Sequence, residues 1–253
     1  MVMLMDAVSN DPFVQLTECG PELPEALARR IVLLGDDAAL RLLDIAENRE
    51  FLEDDRQIWA RTHAVELLVE LGAEATFERL IRIFISSSDS NVDDFEQWVA
   101  CVDHFPRLGQ PFLERVFEFL AAEPERADSV ASFVARFRER DDRIDRLLDD
   151  LADRDPEGVA VILESCNNES RLPVMLRTFE KVVREPSLFL STLGLAQVIE
   201  EFGGIIPESS RPAVARAQTA WAFQWALLCG PRCQCGSGAA FECMCGLGRR
   251  VVS

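Results

Sequence analysis

The sequence has little basic charge and few of the side chains that most catalytic sites use. Its 26 lysines and arginines stand against 44 aspartates and glutamates, which gives a formal net charge of −18. Because binding to phosphate groups needs a basic surface, this excess disfavours nucleic acid as a partner. Tyrosine is absent and Lys181 is the single lysine. We interpret the preference for arginine as the coding bias of a GC-rich bacterium rather than as a functional feature.

Long apolar runs and the common catalytic motifs are also missing. No stretch reaches the roughly eighteen apolar residues that a membrane-spanning helix needs, so we expect no membrane insertion. The first residues lack the basic region and apolar core of a signal peptide, which favours a cytoplasmic location. Neither a G-x-S-x-G sequence, a glycine-rich phosphate loop, an H-E-x-x-H pair nor a dinucleotide fingerprint is present. We therefore predict that the protein is not an enzyme.

Histidine occurs twice, and neither position predicts catalysis. His63 shares a helix face with Glu66 and Glu70, but a di-metal carboxylate site needs matching sets of ligands on several helices. His104 follows Cys101 by three residues, and a nucleophilic pair would also need a third, orienting group. We expect His63 to be a surface or partly buried side chain and His104 not to form a nucleophilic pair with Cys101.

Cysteine is the residue whose spacing demands an explanation. Five of the eight cysteines lie between Cys229 and Cys245. Within that stretch, two C-x-C pairs flank the turn Gly236-Ser237-Gly238; they comprise Cys233, Cys235, Cys243 and Cys245. Four thiolates in so short a segment suit a tetrahedral zinc ion, and metal binding would supply the folding free energy of a segment with almost no core. The remaining cysteines, Cys19, Cys101 and Cys166, have apolar neighbours and are expected to be small core residues.

The run Cys233-Gln-Cys235-Gly-Ser-Gly238, followed by Phe241 and Cys245-Gly246, resembles the SEC-C zinc motif. This motif is found in the C-terminal tail of the SecA translocation ATPase and in other bacterial proteins. The resemblance implies that Cys233, Cys235 and Cys245 are the first, second and fourth zinc ligands. The third differs: the family places it beside the fourth, where this chain has Met244, and Cys243 lies one residue earlier. Cys229 is the alternative third ligand.

The resemblance also implies a class of function. It suggests contacts with a protein or peptide partner in protein secretion, translation or chaperone action. The family commonly carries lysines after the Gly-Ser-Gly turn, where this chain has Ala239, Ala240 and Glu242. Because this segment lacks those lysines and the rest of the chain is acidic, an acidic chaperone is a poor partner on electrostatic grounds.

Upstream of the cysteines, the sequence predicts helices alone. Leu-Gly dipeptides occur at positions 34, 71 and 108, which are 37 residues apart, and each lies between two amphipathic patterns. A glycine just past a helix end commonly adopts the left-handed αL conformation, so each unit is expected to be a helix–turn–helix. Such units must stack to bury their apolar faces. We predict an all-α fold that forms a HEAT-like α-solenoid, with a compact helical bundle as the alternative and a small zinc-binding loop at the C-terminal end.

These observations divide the chain into an N-terminal segment over 1–20, an acidic helical-repeat domain over 21–229 and a SEC-C-like zinc-binding tail over 230–253. The favoured hypothesis is a non-enzymatic interaction module with a structural zinc site. One alternative is a lyase or group-transfer protein on a HEAT-like scaffold, similar to bilin lyases built from such repeats. Another is a redox switch in which Cys243 and Cys245 exchange between zinc and a disulfide.

Overall fold

The computed structural model of the chain describes residues 10–53, 57–89 and 95–229. Every regular element in these ranges is helical, which confirms the all-α prediction. The α-helices are α1 Pro12–Glu18, α2 Glu25–Val32, α3 Asp36–Glu47, α4 Ile58–Leu71, α5 Phe77–Asp89, α6 Phe95–His104, α7 Gly109–Ala122, α8 Ala127–Val134, α9 Asp142–Ala152, α10 Pro156–Ser165, α11 Leu172–Val182, α12 Phe189–Glu201 and α13 Arg211–Cys229. Short 3₁₀ segments lie between several of them, including Phe105–Leu108 before α7.

Aspartate side chains cap the N-termini of several of these helices. Asp11 accepts a hydrogen bond from the Phe13 amide at 2.9 Å, and Asp141 accepts one from the Arg143 amide at 2.9 Å. Asp155 does the same for the Gly158 amide at 2.9 Å. Each carboxylate satisfies an amide that has no partner within its helix and lies at the positive end of the helix dipole. Some of the many acidic side chains therefore cap the N-termini of helices.

The three glycines of the Leu-Gly repeat all have a positive φ, but of the three only Gly72 has the left-handed αL conformation that the sequence predicts, since ψ is −137° at Gly35 and −158° at Gly109. Gly35, Gly72 and Gly109 have φ angles of 60°, 62° and 67°. A residue with a β-carbon would be strained there, by roughly 1–2 kcal/mol. Each glycine therefore lets the chain leave one helical segment and enter the next at the predicted place.

The contacts divide the chain into two compact units, Met1–Glu139 and Arg140–Ser253. In the first unit, helices pack on alternate helices along the chain. α4 contacts α2 and α6, and α6 contacts α8, whereas α5 contacts α3 and α7. The pairs α3–α4 and α5–α6 join these two sets. The first unit therefore consists of two interlocked rows of helices.

A group of buried phenylalanines fills the first unit. Phe84 and Phe133 meet edge to face with ring centroids 4.8 Å apart, and Phe105 meets Phe112 at 5.0 Å. All four rings are fully buried. Edge-to-face contacts between such rings add about 1 kcal/mol each to the free energy gained from burying their apolar area. This aromatic core fixes the packing of α5, α7 and α8.

The second unit has the same alternation. α9 packs on α11 and α10 packs on α12, while α12 also packs along α13. Its core contains Leu148, Leu163, Phe179 and Ile199, each fully buried. On α13, Ala217 is buried and Phe223 is 67% exposed, so one face of the helix packs on the unit and another faces outward. α13 ends at Cys229, where the cysteine-rich segment begins.

Among the helices that the structure describes, none combines the length and apolarity that crossing a bilayer requires.

Candidate functional site

The predicted zinc ligands fall beyond the part of the chain that the structure describes. Cys233, Cys235, Cys243 and Cys245 are all in the range 230–253. The alternative ligand Cys229 is the last residue of α13, and its side chain is outside the described part as well. The zinc site and its ligand set therefore stay predictions.

The three cysteines predicted to belong to the core lie within the described ranges. Cys101 is fully buried and Cys166 is 5% exposed, as expected for core residues. Cys19 is only partly buried, and its thiol donates a hydrogen bond to the Leu16 carbonyl at 3.2 Å. Burial raises the pKa of the Cys19 thiol. Because thiolate is the reactive form of cysteine, Cys19 is a poor nucleophile.

A cluster of polar side chains surrounds Glu66 on α4. His63 Nδ1 lies 3.3 Å from Glu66 Oε2, and His104 Nε2 on α6 lies 3.5 Å from Glu66 Oε1. The first contact is within hydrogen-bonding range, and the second is long enough to be mainly electrostatic. Both histidines of the chain therefore meet at one carboxylate, and we call His63, Glu66 and His104 the Glu66 cluster.

One backbone group and one side chain extend the Glu66 cluster, each on a different side. His63 Nε2 lies 2.9 Å from the carbonyl oxygen of Gly20, in the turn between α1 and α2. His104 Nδ1 lies 3.2 Å from Nη1 of Arg107, in the 3₁₀ segment before α7. The cluster thus connects the α1–α2 turn, α4, α6 and the segment that precedes α7.

The histidines change the acidity of the carboxyl group between them. Contacts from His104, and then from His63, lower the pKa of Glu66 from 4.5 to about 2, against the opposing effect of burial. Glu66 therefore carries its negative charge throughout the physiological pH range. The side chain of Glu66 is 34% exposed, whereas that of His63 is 5% exposed. The carboxylate of Glu66 is accordingly partly open to solvent and also contacts both imidazoles.

The Glu66 cluster is not built as a metal site. The ring nitrogens that would coordinate a metal are directed at Gly20, Glu66 and Arg107 instead. Across residues 10–53, 57–89 and 95–229, no group of three or more histidine, cysteine, aspartate or glutamate side chains is arranged to hold a metal ion. Glu70, which the sequence places on the same face, is exposed.

A carboxyl group whose pKa is raised instead is in the other unit. Burial raises the pKa of Glu164, near the end of α10, from 4.5 to about 7. Its Oε1 atom is buried and has no hydrogen-bond partner within the described part of the chain. The pKa values of Glu164 and Glu66 are therefore shifted in opposite directions. Burial raises the pKa of Glu164, and the neighbouring imidazoles lower that of Glu66.

The sequence places His63 and Glu66 on one helix face but does not indicate that His104 joins them. His63 and His104 are 41 positions apart, and the packing of α4 on α6 brings them together.

A scan against protein-family models finds no match to this sequence, and searches of curated proteins and of solved structures find none either. A proposal about function must therefore be argued from the residues themselves.

Proposed function

We propose that this chain is a non-enzymatic protein–protein interaction module in which a helical-repeat body carries a structural zinc site at its C-terminal end. The observation that supports it most is the spacing of Cys233, Cys235, Cys243 and Cys245 about the Gly-Ser-Gly turn. Four thiolates form a donor set that suits zinc in a closed, structural site without an open position for substrate.

The body is proposed to be a HEAT-like α-solenoid. Support comes from the packing of alternate helices within each unit, such as α4 on α6 and α10 on α12. Stacked helix pairs produce this alternation because each pair buries its apolar faces on the next. The positive φ angles at Gly35, Gly72 and Gly109 place the turns at a constant sequence interval. Arrays of this kind offer extended surfaces to a protein or peptide.

The charge of the body restricts the partner. Asp36 and Asp37 occupy the first turn of α3, and exposed acidic side chains recur on later helices. A net charge of −18 repels acidic proteins and favours association with basic ones. We therefore propose a partner with a basic surface, met in the cytoplasm during protein secretion, translation or chaperone action.

The zinc content of the full chain tests the site. Purified protein is expected to contain about one zinc ion per chain, measured by elemental analysis. Cys233→Ser is expected to lose the metal, whereas Cys19→Ser, in the first unit, is expected to keep it. Wild-type protein without metal, or equal loss in the two variants, would overturn the zinc site. Reversible release of zinc by mild peroxide would identify the redox switch instead.

The interaction requires a separate test. A partner captured by the full chain is purified, and its affinity is measured for wild type, Cys233→Ser and Cys19→Ser. We expect binding that weakens as ionic strength rises, because charge pairing is screened by salt, and that is lost in Cys233→Ser alone. Binding that ignores both salt and Cys233 would leave the zinc site without a role in recognition and would contradict the proposal.

A further inference from the structure

Three leucines around the turn between α2 and α3 lie on the surface of the first unit. Leu33, Leu34 and Leu40 are 85%, 46% and 64% exposed, and they fall within one short stretch of sequence. Leu33 and Leu34 follow α2 and lead into the turn at Gly35, and Leu40 is in the second turn of α3. A single exposed leucine is ordinary, whereas several exposed leucines close together commonly mark a surface that binds another molecule.

The fold of the first unit does not require these apolar side chains. Leu42 of α3 is fully buried, whereas Leu40, two positions earlier, lies on the opposite side of the helix. Leu33 has the same place in the Leu-Gly repeat as Glu70 and Arg107, and both of these charged residues are exposed. A charged side chain is therefore compatible with helix packing at this position, and packing within the unit does not account for a leucine there.

Two acidic side chains lie beside the leucines. Asp36 and Asp37 are in the first turn of α3, and their spacings of four and three residues place them on the same face as Leu40. Both are exposed, and neither forms an ion pair within residues 10–53, 57–89 and 95–229. Their position at the positive end of the α3 dipole stabilises the helix but leaves both carboxylates accessible to a partner.

The arginines of α2 and α3 do not neutralise these two carboxylates. They contact other groups: Arg29 pairs with Glu25, Arg30 donates to Gln15 and to the Asn10 carbonyl, and Arg41 pairs with Asp11. The negative charge of Asp36 and Asp37 is therefore available to an approaching cation. Exposed leucines next to uncompensated carboxylates complement a binding partner that carries apolar and basic side chains together.

We propose that Leu33, Leu34, Asp36, Asp37 and Leu40 form a docking surface for a basic amphipathic helix of a partner protein. We call these five residues the leucine–aspartate surface. Apolar side chains of the partner helix cover the leucines, and its arginines or lysines pair with the carboxylates. A helix with both kinds of residue at spacings of three and four presents them on one face.

The net charge of the chain argues against a second copy of this protein as the occupant. Two copies would each bring a charge of −18, together with the carboxylates of Asp36 and Asp37, to the same interface. A basic helix removes this repulsion and buries the same apolar area. The inference rests on the proposed function, because it gives the place on the body where the basic partner binds.

A designed peptide tests the apolar part of the surface without a natural partner. The probe is a fluorescent helical peptide of about twenty residues, with leucine and arginine on one face. Its affinity for the full chain is measured by fluorescence anisotropy. Leu33→Gln combined with Leu40→Gln is expected to weaken binding about tenfold, because two leucine contacts are lost without a change in charge. Failure of the peptide to bind wild type, or equal affinity for wild type and this variant, would overturn the proposal.

The control for the leucine substitutions uses exposed apolar residues of the second unit. Val161→Gln combined with Leu190→Gln removes two side chains that are also more than half exposed. Because all four substitutions are on the surface, each double variant is expected to unfold at nearly the same urea concentration as wild type. The control is expected to bind the peptide with wild-type affinity. An equal loss of affinity in both double variants would show that the peptide binds exposed apolar side chains anywhere on the chain and would refute the proposal.

Neutralisation of the carboxylates tests the charged part of the surface. Asp36→Asn combined with Asp37→Asn is expected to weaken peptide binding about fivefold at low ionic strength, and less as salt screens the charges. Asp142→Asn combined with Asp150→Asn makes the same change in net charge at exposed positions of α9. This control is expected to have little effect. Equal losses in the two variants would mean that the peptide responds to the overall charge of the chain, which would contradict the proposal.

Two further measurements separate the remaining occupants and the proposed function. A dimer that the two leucine substitutions convert to a monomer would assign the surface to a second copy and overturn the proposal. Deletion of residues 1–9 that raises the affinity for the peptide tenfold would assign it to the chain's own N-terminal segment, with the same consequence. A purified natural partner that binds the leucine variant as tightly as wild type, but not Cys233→Ser, would support the proposed function and refute the leucine–aspartate surface.

Discussion

The carboxyl group of Glu164 on α10 lies against Gly194 on α12, at a point where the missing side chain of the glycine provides the space. A β-carbon at Gly194 would overlap both carboxyl oxygens of Glu164. The arrangement buries Oε1 without a hydrogen-bond partner in the described part of the chain and raises the pKa of Glu164 to about 7. Glu164 therefore takes up a proton near neutral pH because a glycine in the neighbouring helix allows it to be buried.

Glu164→Gln is expected to stabilise the protein above neutral pH. The folded state binds the proton up to about pH 7, whereas the unfolded chain releases it near 4.5, so wild type loses stability as pH rises between these values. Because the group is partly solvated, we expect a gain of about 1 kcal/mol in the free energy of unfolding at pH 8 and little change at pH 4. Urea unfolding at the two pH values measures the difference.

Glu157→Gln is the matched control for this substitution. Glu157 is on the same helix and is exposed. It should change the free energy of unfolding by similar, small amounts at both pH values. If Glu164→Gln behaves in the same way, the carboxyl group is not buried as the structure shows.

Gly194→Ala is expected to expel the Glu164 carboxyl group into water. The atoms in the way are the end of a flexible side chain, so the glutamate can move while α12 keeps its place. Alanine also favours a helix over glycine by about 1 kcal/mol. We therefore expect a variant at least as stable as wild type at pH 8, in which adding Glu164→Gln no longer changes stability between pH 4 and pH 8. Double-mutant urea unfolding measures this coupling.

Glu66→Gln is expected to have the opposite pH dependence. The pKa of Glu66 is lowered to about 2 in the folded state, against 4.5 ordinarily, so its contribution is present above pH 4.5 and lost as pH falls toward 2. The variant should lose about 1–2 kcal/mol relative to wild type at pH 6, after allowance for solvent screening, and converge with it near pH 2. Acid unfolding followed by circular dichroism checks this, with exposed Glu70→Gln as the control.

Asp145→Asn is expected to destabilise the second unit more than Asp149→Asn, on the same helix. Arg171, 1% exposed, has Nη1 2.6 Å from Asp145 Oδ1, whereas Arg177, 46% exposed, has Nη2 2.8 Å from Asp149 Oδ2. Asp145→Asn removes a short ion pair from a buried guanidinium, at a cost of about 2–3 kcal/mol, against about 0.5 for the exposed pair. Thermal unfolding of both variants measures the contrast, and equal losses would contradict it.

The sequence was sufficient for the helical class and for the turns of the first unit. The turns at Gly35, Gly72 and Gly109 were predictable because the end of a helix has a local sequence pattern. A leucine and a glycine are followed there by a new amphipathic pattern. The burial of Cys101 was predictable for a similar reason, since its neighbours Ala100 and Val102 are apolar. Local patterns therefore determine where helices end and which faces they bury.

The polar sites were not predictable because they depend on contacts between distant residues. His63 with Glu66 forms a local pair at helical spacing, but His104 reaches the same carboxylate only through the packing of α4 on α6. Glu164 looks like any other glutamate near a helix end, and its pKa depends on a glycine 30 residues later. No periodicity in a single sequence reports such contacts. The proposed zinc ligands are the reverse case, since the pattern that predicts them is confined to a few adjacent residues.

The third ligand of the proposed zinc site remains a choice between Cys243 and Cys229. With Cys243, the four thiolates come from two C-x-C pairs around one turn, which needs no contribution from the end of α13. We therefore expect Cys243→Ser to weaken zinc binding strongly and Cys229→Ser to leave it close to wild type, as measured by competition with a chromogenic chelator. The reverse order would assign the third position to Cys229 and tie the metal directly to the last turn of α13. Full retention of zinc in both single variants, with loss only in the double variant, would mean that either thiolate can complete the tetrahedron.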